Sequence, residues 1–248
     1  MVQKPGNRWR VMAALCCSSM VIMAAAVDAA TPGATTSSES SAAITVDPAV
    51  LDRYSGDYQL APTAVLAVTR VGDQLFAQLT GQPKAEIFPE SESEFFYKIV
   101  KAQISFKRDA RGSTTGLVLH QNGADMAAPR IDAASAEKIN AATAAKIQSQ
   151  TATPGSEAAL RRLIDGISTG KPNYSEMSPA LADATRQHLP HLSAVMADLG
   201  PVQSVEFRGV GNQGWDLYDV RQEHGSSQWR ISLGADGIIA GAFVTAGP

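Results

Sequence analysis

The chain reads as mainly β plus α+β: a small antiparallel β-barrel, followed by helices that lead into a four-stranded antiparallel sheet. Three observations predict this. Between Leu51 and Ile131, roughly eight short runs alternate apolar and polar residues and are cut by turn dipeptides, the pattern of closely spaced antiparallel strands. Such strands must hide their edges, and closure into a barrel does so. From Glu157 onward the apolar period becomes helical and then strand-like again, the order of an α+β unit. The expected division is residues 1–29, an export signal; 30–46, a disordered spacer; 47–132, the barrel; 133–155, an Ala-rich helix and linker; and 156–248, the α+β unit.

Lys4, Arg8 and Arg10 precede an apolar run over Val11–Val27, and Val27-Asp28-Ala29 offers small residues where a signal peptidase reads. This is the pattern of a secretory signal cleaved after Ala29 or Ala30. A permanent membrane helix is the alternative, though the run is short for one and a small-residue tail follows. Both cysteines, Cys16 and Cys17, lie inside the signal. A lipidated Cys would follow a small residue, and these follow Leu15 and each other. The exported chain would then carry no disulfide and no thiolate. Thr31–Ala43 holds mostly Thr, Ser, Ala and Gly, too little apolar surface to offset its ordering entropy.

The expected location is therefore periplasmic or secreted, with no stable membrane anchor after cleavage. Without residues 1–29, which carry three basic side chains against Asp28, 18 basic and 23 acidic side chains remain, net about −5. No basic concentration suits nucleic acid or an anionic membrane surface.

Asp47-Pro48 marks a helix start, with Asp as cap and Pro at the first helical position; the helix should end near Tyr54. Tyr58 and Leu60 alternate with polar partners. Gly72-Asp73 joins Val65–Val71 to Gln74–Leu79. Ala85–Phe88, Phe95–Val100, Gln103–Arg108, Gly116–Gln121 and Met126–Ile131 follow. Asn122-Gly123 is the strongest hairpin signal of the chain. Leu66, Val68, Leu75, Phe96, Ile104, Phe106, Leu117 and Leu119 are the expected interior residues.

Ala134–Gln148 reads as a short Ala-rich helix and Thr151–Ser156 as a linker. Leu160, Leu163, Ile164 and Ile167 then share one helical face. Ser178-Pro179 starts another helix, whose stripe continues past Pro190 through Leu192, Val195, Met196 and Leu199; Pro190 should kink it and Gly200-Pro201 stop it. Four strands follow around Val205 and Phe207, Trp215–Val220, Trp229–Leu233 and Ile238–Val244.

The barrel segment carries a resemblance. Leu51-Asp52-Arg53-Tyr54-x-Gly56-x-Tyr58, Gln74-Leu75-Phe76-x-Gln78-x-Thr80-Gly81-Gln82, Phe88-Pro89-Glu90-Ser91 and Gly116-Leu117-Val118-Leu119-His120-Gln121-Asn122-Gly123 resemble the lipocalin-like C-terminal domain of class C β-lactamase-like serine hydrolases. That domain is S12 peptidase-associated, of the DUF3471 type. The resemblance implies an appendage concerned with assembly or with access to a catalytic domain, and it implies that the nucleophile lies elsewhere. The later unit is similar to NTF2-like or cystatin-like modules.

Such a hydrolase needs a Ser-x-x-Lys helix start, a Tyr-x-Asn loop and a Lys-x-Gly strand, so that a serine attacks, a base moves its proton and an oxyanion hole forms. No stretch of the chain offers that set. Ser135-Ala136-Glu137-Lys138 matches Ser-x-x-Lys but reads as an exposed helix start. Gly166-Ile167-Ser168-Thr169-Gly170 matches Gly-x-Ser-x-Gly but follows a helix, where a nucleophile elbow follows a strand. His188 and His191, three apart, lack a third metal ligand at matching spacing. His120 is a strand or rim residue whose use in proton transfer needs a partner the sequence does not name. Trp215, Tyr218 and Trp229 are core residues or the lining of a cone. Asp216 and Asp219 face opposite sides of one strand. Gly209-Val210-Gly211 lacks the following helix of a phosphate loop.

No catalytic, cofactor or metal residues are therefore assigned. The expectation is a non-catalytic exported binding or assembly protein. Its partner would be a serine hydrolase, another periplasmic protein or a second copy. The alternative is a carrier of a small apolar ligand held in the barrel mouth or the later cone, and residual hydrolysis stands third.

Overall fold

The computed structural model describes residues 44–121 and 124–247. The expected signal and nearly all of the spacer fall outside these residues, as do Asn122 and Gly123. Helix α1 (Pro48–Tyr54) begins as the sequence requires: Asp47 accepts from the Ala49 N–H at 2.7 Å, and Pro48 occupies the first turn. Leu51 and Tyr54 point inward from it.

Eight strands follow: β1 (Gly56–Ala61), β2 (Ala64–Val71), β3 (Gln74–Leu79), β4 (Ala85–Pro89), β5 (Glu94–Phe96), β6 (Ala102–Arg108), β7 (Thr114–Gln121) and β8 (Ala124–Ile131). Each pairs with the next, and β8 returns to β1 through Asp57↔Ile131 and Tyr58↔Arg130, which closes the barrel. Only two residue pairs make that seam. Arg130 reinforces it by donating from Nη1 to Arg53 O at 2.9 Å and from Nη2 to Ser55 O.

One interior residue differs from expectation. β5 is three residues long, and the chain bends over residues 98–101 instead of extending to Val100. Within β5, Phe95 lies opposite Ile104 and is buried, while Phe96 faces outward beside Phe88. Directly opposed residues share a face, so the inward Ile104 fixes Phe95 inside.

Beyond the barrel come α2 (Ala133–Ser149), α3 (Ser156–Ser168), a 3-10 turn (Tyr174–Glu176), α4 (Pro179–Leu199) and the strands β9 (Val202–Val210), β10 (Asp216–Gln222), β11 (Gly225–Leu233) and β12 (Ile239–Ala246). These strands form an antiparallel sheet in the order β12-β11-β10-β9. Helix α4 passes through Pro190 and ends at Gly200, as its apolar stripe requires. Leu160, Ile164, Met196, Val220 and Ile231 form the core between helices and sheet.

The two units are fastened through α2. Thr143 donates to Thr63 O at 3.1 Å, and Thr80 donates to Asn140 Oδ1 at 2.7 Å, so α2 lies against the barrel. Its other end grips the sheet: the Gln150 side chain donates to Val210 O at 3.1 Å and accepts from the Val210 N–H at 2.8 Å. Lys146 Nζ donates to Thr153 Oγ1 and Gly214 O at 2.6 and 2.7 Å and lies 2.8 Å from the fully buried Asp216 carboxylate. The Thr153 N–H donates to the other oxygen of Asp216 at 3.1 Å. Residues 151–155, a plain linker in the sequence, are thus held to both neighbours.

Candidate functional site

The barrel interior is filled. Tyr54, carried in by α1, stacks on Phe106 of β6 with ring centroids 4.1 Å apart and planes 11° apart. Phe95 meets Phe106 edge-on at 5.5 Å, and Tyr58 lies 5.9 Å from the same ring. Tyr58 Oη donates to Tyr54 O at 2.7 Å, and its burial raises the phenol pKa to about 12, against the lowering influence of Arg130. Leu66, Leu75, Ile104 and Leu117 occupy the remaining interior. The space a lipocalin-like carrier would give its ligand is occupied by this aromatic group.

The second unit is filled differently. Tyr218 and Trp229 are core residues whose polar atoms are satisfied by the protein: Tyr218 Oη is 2.7 Å from Ser156 Oγ, and Trp229 Nε1 donates to Ser227 Oγ at 3.0 Å. Ser227 passes this on to Gln222 Oε1 at 2.9 Å. Trp215 is buried apart from that cluster, against Gly241. A cavity of about 30 Å³, bordered by Leu163, His188, Trp229 and Phe243, has roughly the volume of one water. Ligand pockets usually run to about 300–1,000 Å³. An open groove of about 530 Å³ lies along β9–β11, bordered by Ser204, Glu206, Asp219, Arg221 and Gln228. Two of its carboxylates are engaged by Arg208, which meets Asp219 at 3.2 Å and Glu206 at 3.4 Å, and Gln228 donates to Asp219.

The serines of the two literal motifs each bond within their own helix. Ser135 sits in the first turn of α2, and its N–H and hydroxyl both donate to the capping Asp132 carboxylate, at 2.8 and 2.9 Å. These bonds hold the Asp132 pKa below its ordinary value. Ser168 donates to Ile164 O at 2.8 Å at the end of α3. His188 is half-buried beside the small cavity and His191 is exposed. Among the described residues no three His, Cys, Asp or Glu side chains converge as metal ligands. Asp216 and Asp219 do face opposite ways. Gly209 and Val210 form the contact with Gln150 rather than a phosphate loop.

His120 is the exception. On the outer face of the barrel, His120 Nδ1 lies 2.7 Å from Asp125 Oδ1 of β8, and His120 Nε2 lies 2.9 Å from Ser105 Oγ of β6. A carboxylate only accepts, so Nδ1 carries the proton it donates to Asp125. In the neutral ring Nε2 is then a lone pair, and Ser105 donates its hydroxyl proton to it. This is the connectivity of a nucleophile, a base and an orienting carboxylate. The sequence placed His120 on a strand but named neither partner. The Asn-Gly signal held the missing information about Asp125, because a two-residue turn after Gln121 pairs Gln121 with Ala124 and hence His120 with Asp125.

The surroundings limit what this array can do. β6 is paired on one side by β5 and on the other by β7, and β7 in turn by β6 and β8, so their N–H groups are committed to the ladder. The residues opposite Ser105 are Glu94 and Val118. Neither offers a donor to an oxyanion, and a carboxylate beside one is unfavourable. Asp125 is 74% exposed and His120 33%, so the chain of bonds works in solvent and not in a dry cleft.

Residues 40–135, from just before α1 into the first turn of α2, match the family profile described as a domain of unknown function, DUF3471. Over 85 residues the chain is 28% identical to penicillin-binding protein 4* of Bacillus subtilis strain 168; these residues are 34% of this chain and 19% of that protein. The barrel lies within the family match, and the resembling motifs are among the residues that build it. Leu51, Tyr54 and Tyr58 supply core. Arg70 pairs with Asp52 at 2.7 Å. Gly81, at a φ of +75°, lies so close to Asn212 of the second unit that a Cβ would come within 2.3 Å of Asn212 O. Residues 40–135 thus match DUF3471, a domain found C-terminal to β-lactamase-like penicillin-binding proteins, and the barrel strands of residues 56–131 lie within that match.

Proposed function

We propose that this protein is a non-catalytic, exported accessory module that acts by binding or assembly in the periplasm or outside the cell. Residues 47–132 and 156–248 are its two working units. Its partner is a β-lactamase-like serine hydrolase, another exported protein or a second copy of itself. The observation that carries this reading is the filled barrel. An interior occupied by the Tyr54–Phe106 stack and its neighbours leaves the outer surface as what the barrel offers. The match to a small part of a penicillin-binding protein, 19% of its length, supports a role beside such an enzyme rather than in place of it. The bond of Ser135 to its helix cap and the helix-end bond of Ser168 agree with that. Among the described residues no helix is long and apolar enough to cross a membrane.

Light scattering coupled to size-exclusion chromatography tests the assembly. The protein is run alone and mixed with the β-lactamase-like hydrolases encoded in the same genome. The expected result is a mass above one chain, either from self-association or from a defined complex with one hydrolase. A monomer that binds none of them, together with steady hydrolysis of esters or β-lactams by the protein itself, would overturn the reading.

A further inference from the structure

We propose that Ser105 is a reactive serine, modified once and stoichiometrically by acyl or phosphonyl donors that bring their own activation. This goes beyond the accessory role, which needs no such residue. Ser105 is half-exposed on the outer face, its hydroxyl 2.9 Å from His120 Nε2, while the Asp125 carboxylate fixes the proton of the same ring on Nδ1 at 2.7 Å. Three strands hold the three side chains. His120 and Asp125 are a direct cross-strand pair, and Ser105 lies diagonally across β6, two residues along from Gln103, the residue opposite His120. The array is therefore built by the barrel's register and does not depend on a loop.

The bond changes follow from these contacts. Ser105 Oγ bonds to the carbonyl carbon of an aryl ester as its proton passes to His120 Nε2. The carbon–oxygen bond to the aryl group breaks, and the aryl oxide leaves with the bonding pair. His120 then returns its proton to solvent or to the leaving oxide. With a fluorophosphonate, an Oγ–P bond forms, the P–F bond breaks and fluoride leaves. Among the described residues the strand N–H groups around Ser105 are committed to the ladder and leave the developing oxyanion unsupported, so only good leaving groups react. The same lack slows release of the product by water. The modified serine therefore persists, which distinguishes it from a hydrolase intermediate.

The full-length protein is incubated with an alkyl fluorophosphonate and analysed by intact mass and peptide mapping. The expected result is a single adduct on Ser105 that is absent in Ser105→Ala. Labelling in His120→Gln should slow by about a hundredfold, the usual worth of a positioned base. In Asp125→Asn the ring loses its fixed proton position and labelling slows less. Ser135→Ala and Ser168→Ala should label like the parent. All five exchanges are conservative, and circular dichroism checks that the barrel is intact. An absent adduct, an adduct on another residue, or His120→Gln labelling at the parent rate would overturn the proposal. Incubation with p-nitrophenyl acetate separates the two readings. One equivalent of phenolate released and then no more supports both. Continued turnover that Ser105→Ala abolishes overturns both the persistent modification and the accessory role, whereas no release of phenolate overturns the reactive serine alone.

Discussion

The barrel and the second unit both bury large aromatics, but they treat the polar atoms of those aromatics in opposite ways. In the second unit every step is answered: Tyr218 meets Ser156, and Trp229 meets Ser227, which in turn meets Gln222. In the barrel, Tyr58 finds Tyr54 O, but Tyr54 Oη is buried with no partner among the described residues. The barrel tolerates this because closure and ring stacking hold Tyr54 in place, whereas the open four-stranded sheet relies on its helices and on directed bonds. Stability in the one should depend on shape and in the other on matched polar groups.

The largest effect should come from removing the shape. Phe106→Ala takes away the ring on which Tyr54, Tyr58 and Phe95 converge and should cost about 3–5 kcal/mol in chemical denaturation. Breaking the fastening between the units comes next. Lys146→Ala leaves Asp216 buried without its cation, and about 3 kcal/mol should be lost, with amide exchange rising around residues 150–154 and Gly214 before the barrel opens.

High pH probes Tyr58 in the barrel alongside Tyr218 in the second unit, whose phenol pKa burial also raises. The Tyr58 phenol ionises at about 12 in the folded chain and near 10 when unfolded. Its contribution is complete below pH 10. Between these values the unfolded chain has given up a proton that the folded chain keeps, so stability falls as pH rises, by about 2–3 kcal/mol in all. Tyr58→Phe should flatten that fall when urea midpoints at pH 9.5 and 11.5 are compared.

The smallest effects carry the sharpest contrast. Ser227→Ala interrupts the relay and leaves Trp229 Nε1 and Gln222 Oε1 unanswered, a loss of about 1–2 kcal/mol. Tyr54→Phe removes a hydroxyl that has no partner and should be neutral or stabilising by up to about 1 kcal/mol. Equal losses in both variants would break the comparison.

Most of the fold was legible because it follows from alternation and turns. Asp47-Pro48, Gly72-Asp73, Ser178-Pro179 and Gly200-Pro201 each mark a boundary that local geometry enforces. Phe96 was misplaced because two adjacent phenylalanines fit either parity, and only pairing with Ile104 decides between them. The grip of α2 on both units was not legible either. Lys146 and Asp216 are 70 residues apart, and nothing local links them. The site was half legible. Asp125 follows from His120 by counting across the Asn-Gly signal, since Gln121 pairs with Ala124. Ser105 does not, because β6 and β7 shift register between Lys107 and Arg108, and a diagonal contact cannot be counted across an irregular pairing.

Titration with an apolar fluorescent probe, 1-anilinonaphthalene-8-sulfonate, followed by competition with a long-chain fatty acid, tests most directly whether the barrel works from its outside. A filled interior predicts weak, non-saturating enhancement that the fatty acid does not displace. Saturation at one probe per chain, displaced by the fatty acid and altered by Phe106→Leu, would show a ligand site inside the barrel and contradict the account.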